Sequence, residues 1–185
     1  MNVLVFGAQG SGKSTHARYI AEKLNVPYIY TGNLFRELAR ENSSLGQQIN
    51  ERITRGLMIP NPIAIEVFNE HLRQLDLSKG VVLDGYPRNF SQARSLPIQI
   101  DTLICITLPE EVVMERLLKR GRSDDTPVLI KTRLDLYKKE TAPLIKLFED
   151  KGARIVQLDN TPPIEIVRGK LDDLLKDAIR NRNNV

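Results

Sequence analysis

The chain has 185 residues and a mass of 21.0 kDa, the size of one domain. Its 41% hydrophobic and 27% charged residues are globular values, which exclude a disordered chain, a coiled coil and collagen. Lys and Arg number 27 against 23 Asp and Glu, a formal +4 that is mildly basic and does not by itself indicate nucleic acid.

No apolar run approaches the roughly 18 residues of a membrane span. A strand-like run begins at Asn2 with no basic region and no cleavable apolar core, so no secretory signal is expected. The one cysteine, Cys105, and the two histidines, His16 and His71, offer neither a disulfide framework nor a Cys- or His-based metal site. A reducing, cytoplasmic setting is expected.

Val3–Phe6 is a short continuous apolar run that predicts a buried strand, followed by a helix from Gly12 to about Leu24. Pro27–Tyr30 is a second strand-like run. Asn33–Arg40 and Leu45–Arg55 are helical in character, the latter stopped by Gly56. Asn61-Pro62 reads as a cap with proline at the first helical position, opening a helix to about Leu75. Gly80–Leu83 and Thr102–Leu108 are the third and fourth strands. Pro109-Glu110-Glu111 opens the next helix, with two acids at its positive end. Gly121–Pro127 is a polar loop, and a long helix is expected from there to about Asp150. Ala153–Leu158 is the fifth strand, Thr161-Pro162 starts the last helix, and 180–185 is expected to fray.

Strand–helix alternation of this kind predicts an α/β fold whose parallel sheet is covered on both faces. The stretch from Asn33 to Leu75 is helix after helix without a strand. It is too long for one crossover and reads as a helical insert standing off the sheet, with Gly121–Pro127 as a smaller projection.

Gly7-Ala8-Gln9-Gly10-Ser11-Gly12-Lys13-Ser14 matches G-x-x-x-x-G-K-[ST], and it sits between a strand and a helix as that motif requires. Its N–H groups and the helix N-terminus form an anion site. Lys13 reaches the β and γ phosphates, and Ser14 stands where a hydroxyl would hold Mg²⁺. The motif indicates a nucleoside triphosphate and leaves open what happens to it. GTPases, motors and small-molecule kinases share it.

Asp84-Gly85-Tyr86-Pro87-Arg88 follows the third apolar run, at the carboxyl edge where parallel sheets bind ligands. Asp84 is placed to hold a Mg²⁺-bound water, and Pro87 fixes the turn that aims Arg88. The bland alternative is a turn cap and a solvated arginine. Arg116 and Arg120 share a helix face at i and i+4, and an anion between them offsets their repulsion. Val113 and Leu117 give that helix a separate buried stripe. Arg122 lies in the loop and Arg133 starts the next helix. The alternative here is a solvated basic face with Glu115 pairing Lys119.

Together these pieces resemble adenylate kinase, in its short-lid form within the nucleoside monophosphate kinases, over essentially the whole chain. The carrying motifs are Gly7–Thr15, Thr31-Gly32-Asn33-Leu34-Phe35-Arg36, Asp84–Arg88 with Gln92, Glu115–Arg120, Gly121-Arg122-Ser123-Asp124-Asp125 and Thr132-Arg133-Leu134. The resemblance implies a P-loop NTPase-type three-layer sandwich with a five-stranded parallel sheet. It divides the chain into a core (1–30, 76–120, 129–185), a monophosphate-binding insert (31–75) and a short lid (121–128). The lid has no cysteines, so no zinc is expected.

Residue by residue, the resemblance gives the ATP phosphates to Gly10, Ser11, Gly12, Lys13, Ser14 and Thr15. It gives ATP contacts to Arg116 and Arg120, and to Pro162 in the turn Asp159–Pro162, mostly through backbone. AMP would be held by Thr31, Arg36, the backbone around Met58, Gly85, Arg88 and Gln92. Arg122 and Arg133 would span the moving phosphoryl group and the AMP phosphate. Lys13, Arg88, Arg120, Arg122 and Arg133 would be catalytic, with Mg²⁺ held at Ser14 and Asp84, partly through water.

Thr31 and Gln92 are the adenylate version of positions that uridylate/cytidylate kinases commonly fill with alanine and asparagine, and a Gln amide suits the adenine edge. Asn33 departs from the usual Asp, Tyr86 from Phe, and Asn61-Pro62 from an acidic pair, while Asn89 is a residue that cytidylate-type enzymes often carry. The reaction expected is ATP + AMP ⇌ 2 ADP, by a monomer that closes over its substrates, with no membrane or nucleic-acid partner. AMP's phosphate is mostly dianionic at pH 7, so it needs no general base. The alternatives are a UMP/CMP or other nucleoside monophosphate kinase, and a low-turnover nucleotide-binding assembly factor.

Overall fold

The computed structural model describes residues 1–122 and 124–183, the last seven by backbone alone. Five strands, β1 (Val3–Phe6), β2 (Tyr28–Tyr30), β3 (Val82–Asp84), β4 (Thr102–Thr107) and β5 (Arg154–Asp159), form one sheet in the order β2-β3-β1-β4-β5. Every pairing is parallel. Leu4 faces Leu83 on one side and Leu103 on the other.

The apolar runs are continuous because both faces of the sheet are buried. Successive side chains alternate between two cores. Val3, Val5, Val82, Ile104 and Ile106 face a cluster with Ala17, Ile20 and Leu24 of α1 (Lys13–Leu24) and Val167 and Leu171 of α9 (Ile164–Asn183). Leu4, Phe6, Leu83, Leu103 and Cys105 face the opposite cluster, which gives three layers.

That opposite cluster also takes in residues from the segment between β2 and β3. The helices between β2 and β3 are α2 (Thr31–Leu38), α3 (Ser44–Thr54) and α4 (Asn61–Arg73). Their Phe35, Ile49, Ala64, Phe68 and Leu72 belong to the same cluster as Leu4 and Phe6. The Phe68 ring stacks on Tyr86 at 3.9 Å between centroids. The segment's apolar residues thus join the cluster on that side of the sheet, while its Phe35, Ile53 and Met58 line a cavity that Val5 and Phe6 also line.

Further boundaries differ from the sequence reading. Asn61 is not the cap of α4. Pro60 holds that position, and the Asn61 side chain accepts from Asn89 and Gln92 instead. A short helix, α5 (Phe90–Arg94), follows Asn89, whose side chain accepts from the Gln92 N–H. After α6 (Glu110–Arg120), the expected single long helix is three pieces: α7 (Pro127–Leu136), a π-helical turn (Tyr137–Thr141) and α8 (Leu144–Asp150). Arg133 lies in the last turn of α7, not at its start. The last helix starts at Ile164, after both prolines, and runs through most of the segment expected to fray, while 184–185 and Ser123 lie outside the described residues.

Candidate active site

β1 ends in the glycine loop. Gly12 caps α1 with φ +91°, in the left-handed region, and no side chain caps the helix. No side chain occupies the N-terminus of α1, which leaves room there for an anion, as the helix dipole favours. A Cβ at Gly12 would come within 2.3 Å of the Asn160 side-chain nitrogen. Lys13 donates to the Ala8 carbonyl at 3.4 Å. Burial pulls its ammonium pKa below the usual lysine value, and Asp84 opposes that pull.

Asp84 ends β3 and is fully buried. Its Oδ2 accepts from the Tyr28 hydroxyl at 3.0 Å, and its Oδ1 has no partner among the described residues. Burial, with the Asp84 charge beside it, pushes the Tyr28 phenol far up, so it remains a neutral donor. Gly85 follows at φ +84°, where a Cβ would strike the Thr31 hydroxyl at 2.8 Å. Thr31, fully buried, donates to the Asp84 carbonyl at 3.1 Å.

Arg88 is held at several points. Its Nε donates to the Gly85 carbonyl at 2.8 Å and its backbone N–H to Gln92 Oε1 at 2.8 Å. Its carbonyl accepts from the Thr141 hydroxyl at 2.8 Å. Burial lowers its guanidinium pKa, and Asp84 counters it. Arg120 and Arg133 are held by acids. Arg120 makes two bonds to Asp125, at 2.8 and 2.7 Å. Arg133 reaches Asp124 at 2.6 Å and Asp125 at 3.0 Å. Burial drags the Arg120 pKa down, but the Asp125 pair outweighs it and the net shift is upward. Burial alone would raise the Asp125 carboxyl, and its two arginines instead hold it at about 2.

One cavity gathers much of this. Its walls include Lys13, Arg36, Met58, Gly85, Arg88 and Arg133, drawn from five separate chain segments. A family model described as Adenylate kinase matches residues 5–153. The chain belongs to the adenylate kinase family. It is 34% identical to an adenylate kinase of a Cyanothece species, over 94% of each chain. It is 35% identical to adenylate kinase 1 of a Synechocystis species, over 94% of this chain and 96% of that one. It is 39% identical to the adenylate kinase of Mycobacterium tuberculosis, over 82% of this chain and 87% of that one.

Within this adenylate kinase fold, the remaining predicted residues divide. Arg116 approaches Gly12, its Nη1 at 3.9 Å from a Cβ built there. Arg122 is exposed and lines a neighbouring groove with Tyr30, Arg36 and Asp124. Gln92 is buried with both polar ends engaged, Oε1 by Arg88 and Nε2 by Asn61 at 3.1 Å, so it lies behind the cavity wall. Ser11 is buried and its hydroxyl has no partner among the described residues, while Ser14 and Thr15 lie in the first turn of α1 and Gly10 packs against Leu117. Pro162 is half-buried beside Asn160.

Sequence reasoning missed four positioning residues. The turn after β5 was expected to act mostly through backbone, yet the Asn160 side chain donates to the Ser11 carbonyl at 2.7 Å and pairs with His16 at 2.7 Å. Asp124 and Asp125 stand in a motif that carries the resemblance but receive no role from the sequence, and Thr141 stands in no motif. The adjacent acids beside a run of arginines were a signal that could have found the pair. For Thr141 there was none, since its partner is a backbone carbonyl 53 residues away.

Proposed function

We propose that this protein transfers a phosphoryl group reversibly from ATP to AMP, giving two ADP. The observation that carries the reading is the convergence of Lys13, Arg36, Arg88 and Arg133 on one cavity beside an uncapped helix N-terminus. Four cations around one space suit two phosphate chains and little else. In this reading Gly10–Thr15 cradle the ATP phosphates, with Arg116, Arg120 and the Pro162 turn at its remaining parts. Thr31, Arg36, Met58, Gly85, Arg88 and Gln92 serve AMP, the last by holding the Arg88 loop.

Phosphoryl transfer to a dianionic phosphate calls for charge stabilisation and positioning, without proton abstraction. Lys13, Arg88, Arg120, Arg122 and Arg133 supply them, with Arg122 brought in from its groove. Asp124 and Asp125 keep the lid cations solvated by carboxylate until phosphate competes for them. The orphaned buried Oδ1 of Asp84 fits a water on Mg²⁺, and Ser14 lies one residue beyond Lys13. When bound with ATP, Mg²⁺ neutralises charge on the β and γ phosphates. We take the working unit to be one chain and its setting to be the cytoplasm, where the free buried thiol of Cys105 suits a reducing compartment. No helix among the described residues is long and apolar enough to cross a membrane.

The test is a coupled ADP-formation assay with ATP saturating and AMP, dAMP, UMP and CMP as acceptors. AMP is expected to turn over fastest. Faster turnover of UMP or CMP makes this a pyrimidine monophosphate kinase, and no turnover of any acceptor leaves a nucleotide-binding factor.

A further inference from the structure

β2 carries two tyrosines that no motif drew attention to. Their rings stack at 6.4 Å with 9° between planes, and each hydroxyl points to a different functional charge. Tyr28 donates to Asp84. Tyr30 accepts from Arg36 Nη2 at 2.8 Å, while the Arg36 guanidinium lies over the Tyr30 ring at 5.3 Å from its centroid. The ring also rests on Gly32, where a Cβ would sit 2.8 Å from its edge. These contacts fix the Tyr30 ring, and the Arg36 bond holds its hydroxyl.

That hydroxyl accepts one bond, and no described residue takes its hydrogen. A phenol has both capacities, and an unused O–H in a half-buried place is a donor awaiting an acceptor. Its surroundings say which kind. It borders the groove that Arg36 shares with the main cavity. It lies within electrostatic reach of four cations, Lys13, Arg36, Arg88 and Arg120, against one carboxylate, Asp84, which already accepts from Tyr28. Burial alone would raise its pKa, and the Arg36 bond and charge leave it below the ordinary tyrosine value, as a strengthened donor. The acceptor that belongs among four cations is an anion.

We propose that the Tyr30 hydroxyl is a further phosphate-binding group, donating its hydrogen to an oxygen of the nucleoside monophosphate phosphate that Arg36 grips. The inference rests on the reading of Arg36 as a monophosphate ligand. Arg36 and Tyr30 then act as one unit: the arginine polarises the phenol oxygen, and the phenol carries that polarisation to the phosphate. Hydrogen bonds to charged groups of this kind contribute enough that losing one weakens binding by about tenfold or more.

The experiment is calorimetric titration of wild type, Tyr30→Phe and Arg36→Ala with AMP and with adenosine, which keeps base and ribose but lacks phosphate. Phenylalanine retains the ring, its stacking and its face toward the Arg36 guanidinium, and removes the hydroxyl together with the bond it accepts from Arg36; melting temperatures check the fold. The expected result is about a tenfold loss of AMP affinity in Tyr30→Phe with adenosine changed less than about twofold. AMP and adenosine weakened alike would overturn the proposal, since the ring would then act by packing. AMP bound normally by Tyr30→Phe and poorly by Arg36→Ala would overturn it while leaving the phosphate site in place. AMP bound normally by both would overturn it together with the reading of Arg36.

Discussion

Asn160 and Ser11 lie 149 positions apart in the chain and meet at 2.7 Å, the Asn160 amide donating to the Ser11 carbonyl. The same amide's oxygen pairs with His16 on α1. Burial lowers the His16 pKa, and because an amide oxygen can only accept, it is the His16 Nε2–H that donates to Asn160. The turn after β5 thereby holds both the cradle and the helix that follows it. Asn160→Ala leaves two buried groups unpaired, at about 1–3 kcal/mol. We expect denaturant unfolding to show that loss and the KM for ATP to rise more than that for AMP. Equal KM changes would detach Asn160 from the triphosphate side.

Arg120 and Arg133 form a carboxylate–guanidinium assembly with Asp124 and Asp125, so the stability of this segment depends on pH. Asp125 is held at about 2 in the folded chain, below the 3.8 of an unperturbed Asp. A depressed folded pKa contributes stability that is present above the unfolded value and lost as pH falls through the folded one. Wild type should therefore exceed Asp125→Asn in stability near neutral pH, and the gap should narrow between pH 4 and 2. A gap independent of pH across that window would show that Asp125 acts without its charge.

Arg88 is clamped at its backbone N–H, its carbonyl and its Nε, which leaves the rest of the guanidinium for substrate. Preorganised electrostatic donors of this kind are worth about a hundredfold or more in rate. Arg88→Ala should lower kcat at least about a hundredfold with the melting temperature little changed. A loss below about fivefold would remove Arg88 from the chemistry.

Thr141 closes the π-helical turn and donates to the Arg88 carbonyl. Widened turns of this type occur often at functional sites. Thr141→Val keeps the shape and deletes the donor, leaving the carbonyl unpaired at about 1–3 kcal/mol. We expect reduced stability together with reduced kcat, both restored by Thr141→Ser. A valine variant indistinguishable from wild type would assign the turn to packing alone.

Residue order by itself determined the strand-and-helix alternation, the phosphate cradle, the acid at the end of β3 and the arginines. These signals are local: apolar runs, glycine spacing, and residues a few positions apart. The parallel five-stranded sheet followed from them. The sequence did not disclose that Phe68 stacks on Tyr86, because an apolar residue at helical spacing reads the same whatever it buries against. Nor did it disclose the π turn, whose helical periodicity matches a continuous helix. The pairings Asn160–Ser11, Thr141–Arg88 and Tyr30–Arg36 were decided only by tertiary structure. A side-chain hydrogen bond is set by where two segments are brought together in space, and nothing in either segment's own periodicity records its partner.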